Sequence, residues 1–516
     1  MVEITTGKIL SQTGFIFLAF MLYYICSWTA SQFKLLGKGI RLPPGPKQSL
    51  ITGNLYQLPK SEHWLTFTSW AKSYGPITYF RVFHSKTIML NSLKAAVDLL
   101  DSRSSIYSDR PIMWMTGELA GQKSMVFMTR FSNPCFKSLR RLLQDGLNAR
   151  ASKSYRPIQR QETQVLLQGL INNPEAFATH VRRNAVAVIL KVAYGYQIES
   201  NDDELVGAVD LGLKMNAGLN APGKYWVEFF PFCNAVRFVP DWVPGAGFKR
   251  LARETGKRWA QVNQVPFEWA RRQIATGDFV ESFTSRHLLL EEGKIPEHQP
   301  LDDVKWAAAS LYVGGADTTV SALTTFFLAM MLYPEVQVLA QADIDRVAPN
   351  RLPTLNDFDS LPYIRAIIKE LLRWAPVVPL GLFHRVMEDD IYGDYFIPKG
   401  TKIIANVWAI AHDEEMYPDP SRFDPSRHLG DSPQPDPLEF AFGFGRRICP
   451  GAHFAEMSLF LNISNILAIF DISKPLDSSG LPVEPAIAWT TGVIRHLKPF
   501  NCQIKPRSQE HVAFLG

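Results

Sequence analysis

Cys449 stands in the run Phe442-Gly443-Phe444-Gly445-Arg446-Arg447-Ile448-Cys449-Pro450-Gly451, just ahead of an apolar stretch, Phe454 to Phe470, that reads as a helix. Glycines let a backbone approach a flat cofactor closely, and backbone N–H groups together with a following helix N-terminus stabilise a charged sulfur. Those features suit a thiolate that ligates haem iron, with Arg447 placed to pair with a haem propionate. A lone thiolate axial ligand pushes electron density onto iron and favours O–O cleavage. A single cysteine is more often a small buried hydrophobe, but its neighbours here point the other way. A zinc site would want further Cys or His at short spacing, and His453 is a single residue.

A second group lies upstream. From Leu301-Asp302-Asp303 the apolar residues Trp306, Leu311, Val313, Val320, Leu323, Phe326, Phe327 and Leu332 recur until Pro334. An acidic start and a proline stop predict a helix of about thirty residues. Its middle reads Gly314-Gly315-Ala316-Asp317-Thr318-Thr319. These are poor helix formers, so a deformation of the hydrogen-bond ladder is expected there. A kink beside haem leaves room for oxygen and water, and Asp317 and Thr318 can relay protons as general acid–base catalysis requires. For this hexad alone, an ordinary helix with glycine packing contacts is the competing reading. A third pair, Glu370 and Arg373, is three residues apart in the amphipathic segment Tyr363 to Arg373, hence on one helix face. On a surface such a pair is worth little.

The elements that position these residues fall in one large domain. The chain has 516 residues, 46% of them hydrophobic, and past residue 60 it shows no long linker, low-complexity tract or repeat. A net charge of +5 is too weak to argue for nucleic acid and suits an acidic protein partner or an anionic membrane. Five widely spaced cysteines are odd in number, as expected in a reducing compartment, so the catalytic bulk is expected to be cytosolic. No charged residue occurs from Ile9 to Phe33, while Lys34, Lys38, Arg41 and Lys47 follow. Residues 1–33 are therefore expected to form a membrane anchor with its basic flank in the cytosol; a cleaved signal peptide competes but lacks a clear small-x-small site. Residues 34–60, with Leu42-Pro43-Pro44-Gly45-Pro46, read as a basic, proline-rich hinge, and residues 61–516 as the catalytic domain. The aromatic, proline-broken blocks at 222–232 and 239–245, including Trp226, Phe229, Phe230 and Trp242, suggest a surface that dips into the membrane interface, with plain core packing equally open.

The cysteine run resembles the haem-binding signature of cytochrome P450 monooxygenases, Phe-x-x-Gly-x-Arg-x-Cys-x-Gly, at every fixed position from Phe442 onward. The similarity extends over essentially the whole chain after the anchor. It implies a mainly α fold with small β-sheets, the cytochrome P450 fold behind one N-terminal transmembrane helix, and haem b with Cys449 as axial ligand. By the same resemblance Asp317 and Thr318 are the acid–alcohol pair of oxygen activation, and Arg427 joins Glu370 and Arg373 in a haem-supporting scaffold, although Ser426-Arg427-His428 replaces the usual Glu-Arg-Phe. Arg385, Arg110 and Arg140 match positions that clamp haem propionates. Phe136 stands where the family has Trp, so an indole donor is missing there. Family topology places Met113, Trp114, Leu311 to Gly315, Val377 to Phe383 and Thr491-Gly492-Val493 along the pocket.

The blocks at 183–196 and 222–245 are similar to a fungal subset described as O-methylsterigmatocystin-oxidoreductase-like, which implies secondary metabolism of terpenoid, polyketide or indole type. With no Gly-x-Gly-x-x-Gly fingerprint or flavin-sized domain, electrons are expected from NADPH through a separate NADPH-cytochrome P450 reductase, with cytochrome b5 as an optional donor, at the endoplasmic reticulum membrane. The expected activity is hydroxylation or epoxidation of a hydrophobic small molecule with O2. A reductase-independent isomerase or dehydratase is the alternative, and intact Asp317-Thr318 speaks against it. A non-catalytic haem-binding membrane protein is the third class. Asn462-Ile463-Ser464 fits a glycosylation sequon but is expected to be buried and unmodified.

Overall fold

The longest helix, Leu301–Leu332, runs through the middle of the structure, a computed structural model that describes residues 41–198, 203–219, 225–228, 240, 246–289 and 301–515. The expected anchor, residues 1–33, and Phe229, Phe230 and Trp242 lie outside the described residues. The architecture is mainly helical with small sheets. Helices used below are α1 (Cys135–Leu147), α2 (Phe177–Tyr194), α3 (Gly247–Thr276), α4 (Leu301–Leu332), α5 (Pro362–Trp374) and α6 (Ala452–Ile469).

Helix α4 begins with Asp302 and Asp303 in its first turn, where acidic side chains oppose the helix dipole, and ends before Pro334, which opens the next helix. One half packs Leu323, Phe326 and Phe327 against Ile364, Ile367 and Ile368 of α5 and Phe460 and Ile463 of α6. The other half packs Ala308, Leu311 and Tyr312 against Val188, Ile189 and Val192 of α2. Gly315 permits that second contact, because a Cβ there would lie 2.7 Å from Ile189 Cδ1. The expected deformation at Gly314-Gly315 does not break the helix, which remains α-helical throughout. Within it Thr318 and Thr319 donate their hydroxyls to the carbonyls of Gly314 (2.6 Å) and Gly315 (2.8 Å) one turn back.

Helix α6 is buried on nearly every side from Met457 to Ile469 and passes directly into a strand at Phe470. Among the described residues, α4 and α6 are long and apolar enough to cross a membrane, yet both are core helices, buried over most of their apolar stretch. Asn462 donates to Ser458 O and accepts from Thr163, inside that core.

The main sheet has strand order β1-β2-β6-β3, built from β1 (Ile77–Val82), β2 (Ser85–Leu90), β3 (His384–Arg385) and β6 (Lys402–Ala405). β2 is antiparallel to β1 and parallel to β6, and β3 is antiparallel to β6. Two-stranded sheets pair β4 (Asp390–Tyr392) with β5 (Tyr395–Ile397) and β7 (Phe470–Ser473) with β8 (Gln503–Pro506). The described part of the hinge is packed on this sheet: Tyr79 N donates to Pro44 O, Arg81 N to Asn54 Oδ1 and Asn54 N to Arg81 O. A Cβ on Gly45 would lie 1.8 Å from Tyr79 O, so only glycine lets the proline run approach so closely.

Candidate active site

The cysteine loop is folded by its own backbone. Cys449 N donates to Phe442 O at 2.8 Å, Ile448 N to Gly445 O and Arg447 N to Phe444 O. Gly443 and Gly445 take φ of 80° and 51°, and a Cβ on Gly445 would lie 2.3 Å from Leu100 O. Both glycines are thus required by conformation, and the second also by space. Ala455 N then donates to Gly451 O as α6 begins. Cys449 keeps accessible surface, but protein crowds its sulfur closely enough that burial pushes the thiol pKa up, against the Gly451 N–H and the Arg140 charge, which favour the thiolate.

Four arginines surround this loop and the segment beside it. Arg140, on α1, donates to Ile448 O at 2.7 Å. Arg447 is buried, donates to the carbonyls of Ser108, Val126 and Thr129, and lies 3.8 Å above the Phe136 ring. Phe136, in place of an indole donor, thus serves as a cation–π platform for the loop arginine. Arg110 is buried, spends Nη1 on Leu382 O and Phe383 O, and leaves Nε without a partner. Arg385 lies against Asp109, with Nε and Nη2 at 3.0 and 2.7 Å from Oδ2. Asp109 also accepts from Phe131 N and Arg130.

Burial is the largest influence on Arg110, Arg140 and Arg447. Burial pushes the Arg447 guanidinium down to about 8, with Arg110 adding to the shift and Asp109 opposing it. Arg110 falls to about 10 through burial, opposed by Asp109 and, more weakly, reinforced by Arg140. His384, buried between them, is held well below its ordinary value by burial and then by Arg110 and Arg447. Asp109 supplies one carboxylate against this excess of positive charge. The residues therefore fit a dianionic ligand such as the two propionates of haem, which would relieve the repulsion and offer Arg110 Nε an acceptor.

Helix α4 reaches the same region through Ser310, whose Oγ accepts from Val126 N while Val126 O accepts from Arg447. Gly314 is exposed in the middle of this otherwise largely buried helix, and a Cβ there would meet nothing within 4 Å. Asp317 is engaged by His496, with Nε2 and Oδ2 3.0 Å apart. No spacing in the sequence singles out His496.

The scaffold expected from Glu370, Arg373 and Arg427 comes together around a fully buried carboxylate. Glu370 Oε1 accepts from Arg373 Nη2 (2.7 Å), Arg427 Nε (3.1 Å) and Asp424 N (2.9 Å), while Oε2 meets Arg373 Nε (2.8 Å) and His428 Nε2 (3.0 Å). His428, the departure from the usual ending, is thus a fourth member. Burial pushes the Glu370 carboxyl up, but the bonds from Arg373 and His428 outweigh it and hold the group below the ordinary range.

A cysteine presented by a glycine-shaped loop, beside arginines short of anionic partners, defines the class: a protein that holds haem through a thiolate. The cytochrome P450 family profile matches residues 43–500, and the chain belongs to that family. It is similar to cytochrome P450 monooxygenase 208 of Postia placenta, 42% identical over 90% of each chain. It is 41% identical to cytochrome P450 monooxygenase claR of Ampulloclitocybe clavipes over 92% of this chain and 89% of that one. Tryptamine 4-monooxygenase of Psilocybe cyanescens is 36% identical, over 91% of this chain and 94% of its own. The protein is therefore a haem-thiolate monooxygenase that uses O2, electrons from a redox partner and a hydrophobic substrate.

Proposed function

We propose that this chain is a membrane-anchored enzyme that hydroxylates or epoxidises a terpenoid, polyketide or indole in fungal secondary metabolism, fed by NADPH-cytochrome P450 reductase, with cytochrome b5 as an optional donor, at the endoplasmic reticulum. The observation that carries the haem site is the pair of buried arginines beside the Cys449 loop, Arg110 with its Nε unpartnered and Arg447, joined by the half-buried Arg140. When bound, haem supplies the reductive activation of O2, one atom of which enters substrate while the other leaves as water. Cys449 would hold the iron; Arg110, Arg140, Arg385 and Arg447 would orient the propionates. Thr318, whose hydroxyl hydrogen now rests on Gly314 O, can turn to hold a proton near the open face at Gly314, and Asp317 can replenish it. Apolar residues such as Met113, Leu311 and Val377 support an apolar substrate positioned by shape. Fungal relatives, among them one named for tryptamine, favour a secondary metabolite.

The test is reconstitution of the full chain with the reductase in membranes, labelled O2 and panels of the three substrate types. A thiolate-type CO spectrum, lost in Cys449→Ala, and a single labelled oxygen in a product are expected. Turnover without reductase or without label incorporation overturns the monooxygenase role. Deletion of residues 1–33 should move the protein substantially out of the membrane fraction; unchanged fractionation contradicts the anchor.

A further inference from the structure

The acid of the pair on α4 is held by a residue from a distant loop. His496 Nε2 lies 3.0 Å from Asp317 Oδ2, and their side chains are 24% and 19% exposed, so the contact is sheltered yet open to solvent. The loop carrying His496 is fixed on three sides. Ser321, one turn beyond Asp317 and on the same helix face, donates its hydroxyl to Arg495 O. Arg495 N donates to Val377 O, and its buried guanidinium lies 3.7 Å above Trp489 and 4.6 Å above Trp408. His496 N and O bond Thr490 Oγ1 and Thr490 N, closing the turn back on itself. This bracing sets the imidazole against the carboxylate. Successive residues on a helix diverge by about 100°, so Thr318 and Asp317 take different faces, and it is the face of Asp317 and Ser321 that meets this loop.

We propose that His496 is a positioning residue for proton delivery: it holds the Asp317 carboxylate and hands it protons drawn from solvent. It rests on taking Asp317 and Thr318 as the proton-delivery pair. An imidazole can both donate and accept a proton, unlike the neutral groups that could otherwise bond a carboxylate. In the transfer, the Nε2–H bond of imidazolium breaks and an O–H bond forms at Asp317 Oδ2, leaving neutral imidazole and a carboxylic acid. Asp317 then releases that proton toward Thr318, and solvent returns one to the imidazole. No electrons move in this exchange.

The experiment uses the full-length enzyme with its reductase and the variants His496→Ala, His496→Gln and Asp317→Asn. Each is measured for the share of NADPH electrons recovered in product rather than peroxide, and for the solvent deuterium isotope effect on turnover. A readout independent of turnover is the rate at which diethylpyrocarbonate modifies His496, followed by peptide mass spectrometry. His496→Ala should lower coupling several-fold and raise the isotope effect. His496→Gln, which keeps a hydrogen-bond donor but cannot relay a proton, should recover part of the coupling and keep the raised isotope effect. Asp317→Asn should speed modification of His496 several-fold. If Asp317→Asn uncouples the reaction while both His496 variants match the wild type, the inference fails and the Asp317 reading stands. If Asp317→Asn itself couples normally, the proton-delivery pair falls, and this inference with it. An unchanged modification rate in Asp317→Asn overturns the holding contact even if His496→Ala cannot be folded.

Discussion

Replacing Glu370 by Gln removes one charge and no volume from the most constrained polar cluster in the protein. The carboxylate accepts five hydrogen bonds, from Arg373 twice, Arg427, His428 and Asp424 N. An amide keeps one acceptor oxygen and turns an NH2 toward the donors on the other side. With the oxygen at the Oε1 position, the NH2 faces Arg373 Nε and His428 Nε2. Each lost bond to a charged group is worth about 1.5–3 kcal/mol, so two cost about 3–6. Two effects reduce that. His428 can present a ring nitrogen as acceptor to the amide. Arg373 also retains the carbonyls of Ala411, Pro420 and Arg422, and Arg427 retains Pro418 O and Gln434 Oε1. The expected loss is about 3 kcal/mol for Glu370→Gln, and about 4–5 for Glu370→Ala, which strands both guanidiniums.

Urea unfolding of the haem-loaded protein, followed by tryptophan fluorescence and by haem retention, measures this loss. A glutamine variant within about 1 kcal/mol of wild type would refute the cost assigned to the buried charge. The pH dependence supplies a second check. Because the folded carboxyl is held below its ordinary value, the unfolded state binds its proton first as pH falls. The stability it contributes is therefore complete above the ordinary carboxylate range and is lost as pH falls through the depressed folded value. Wild type and Glu370→Gln should converge in stability toward acid; a gap that stays constant down to the acid limit refutes the ionised carboxylate.

Thr318→Ala removes one hydroxyl bond to the exposed Gly314 carbonyl, which keeps its helical partner, so stability should stay within about 1 kcal/mol while the peroxide share of consumed NADPH rises. Unchanged coupling would remove Thr318 from proton delivery. Gly45→Ala forces a Cβ against Tyr79 O and should destabilise the domain by about 1–3 kcal/mol, read as a lower melting temperature and faster proteolysis within residues 41–60. Glu228→Ala removes the acceptor of Trp114 N and Met115 N, which ties the 225–228 segment to the turn at 114–119. KM should then rise more than kcat changes; an unaltered KM would show that this tie does not shape substrate entry.

What the sequence displayed was local. The cysteine loop carries its glycines, arginine and helix start within a few positions, and α4 announces both ends with Asp302, Asp303 and Pro334, so pattern alone located them. Glu370 and Arg373 share a face by spacing. What the sequence hid depends on contacts that only folding brings about. His496 meets Asp317 across 179 positions, and His428 meets Glu370 across 58. Arg385, matched to a propionate clamp by position, is met by Asp109 across 276 positions. A carboxylate beside Arg110 in the chain was visible, but nothing in one sequence tells which cation it will face.

The same limit explains the helix at Gly314-Gly315. Propensity argues for a deformation, because it counts backbone entropy and lost rotamers residue by residue. The helix stays continuous where Ile189 packs on Gly315, a tertiary contact that propensity does not count, while the threonine hydroxyls bond back to the glycine carbonyls within it. That outcome bears on chemistry. At Gly314 the missing Cβ adds to the open space, where an added methyl would meet nothing within 4 Å. Alanine at 314 would therefore fold without strain and narrow that space directly.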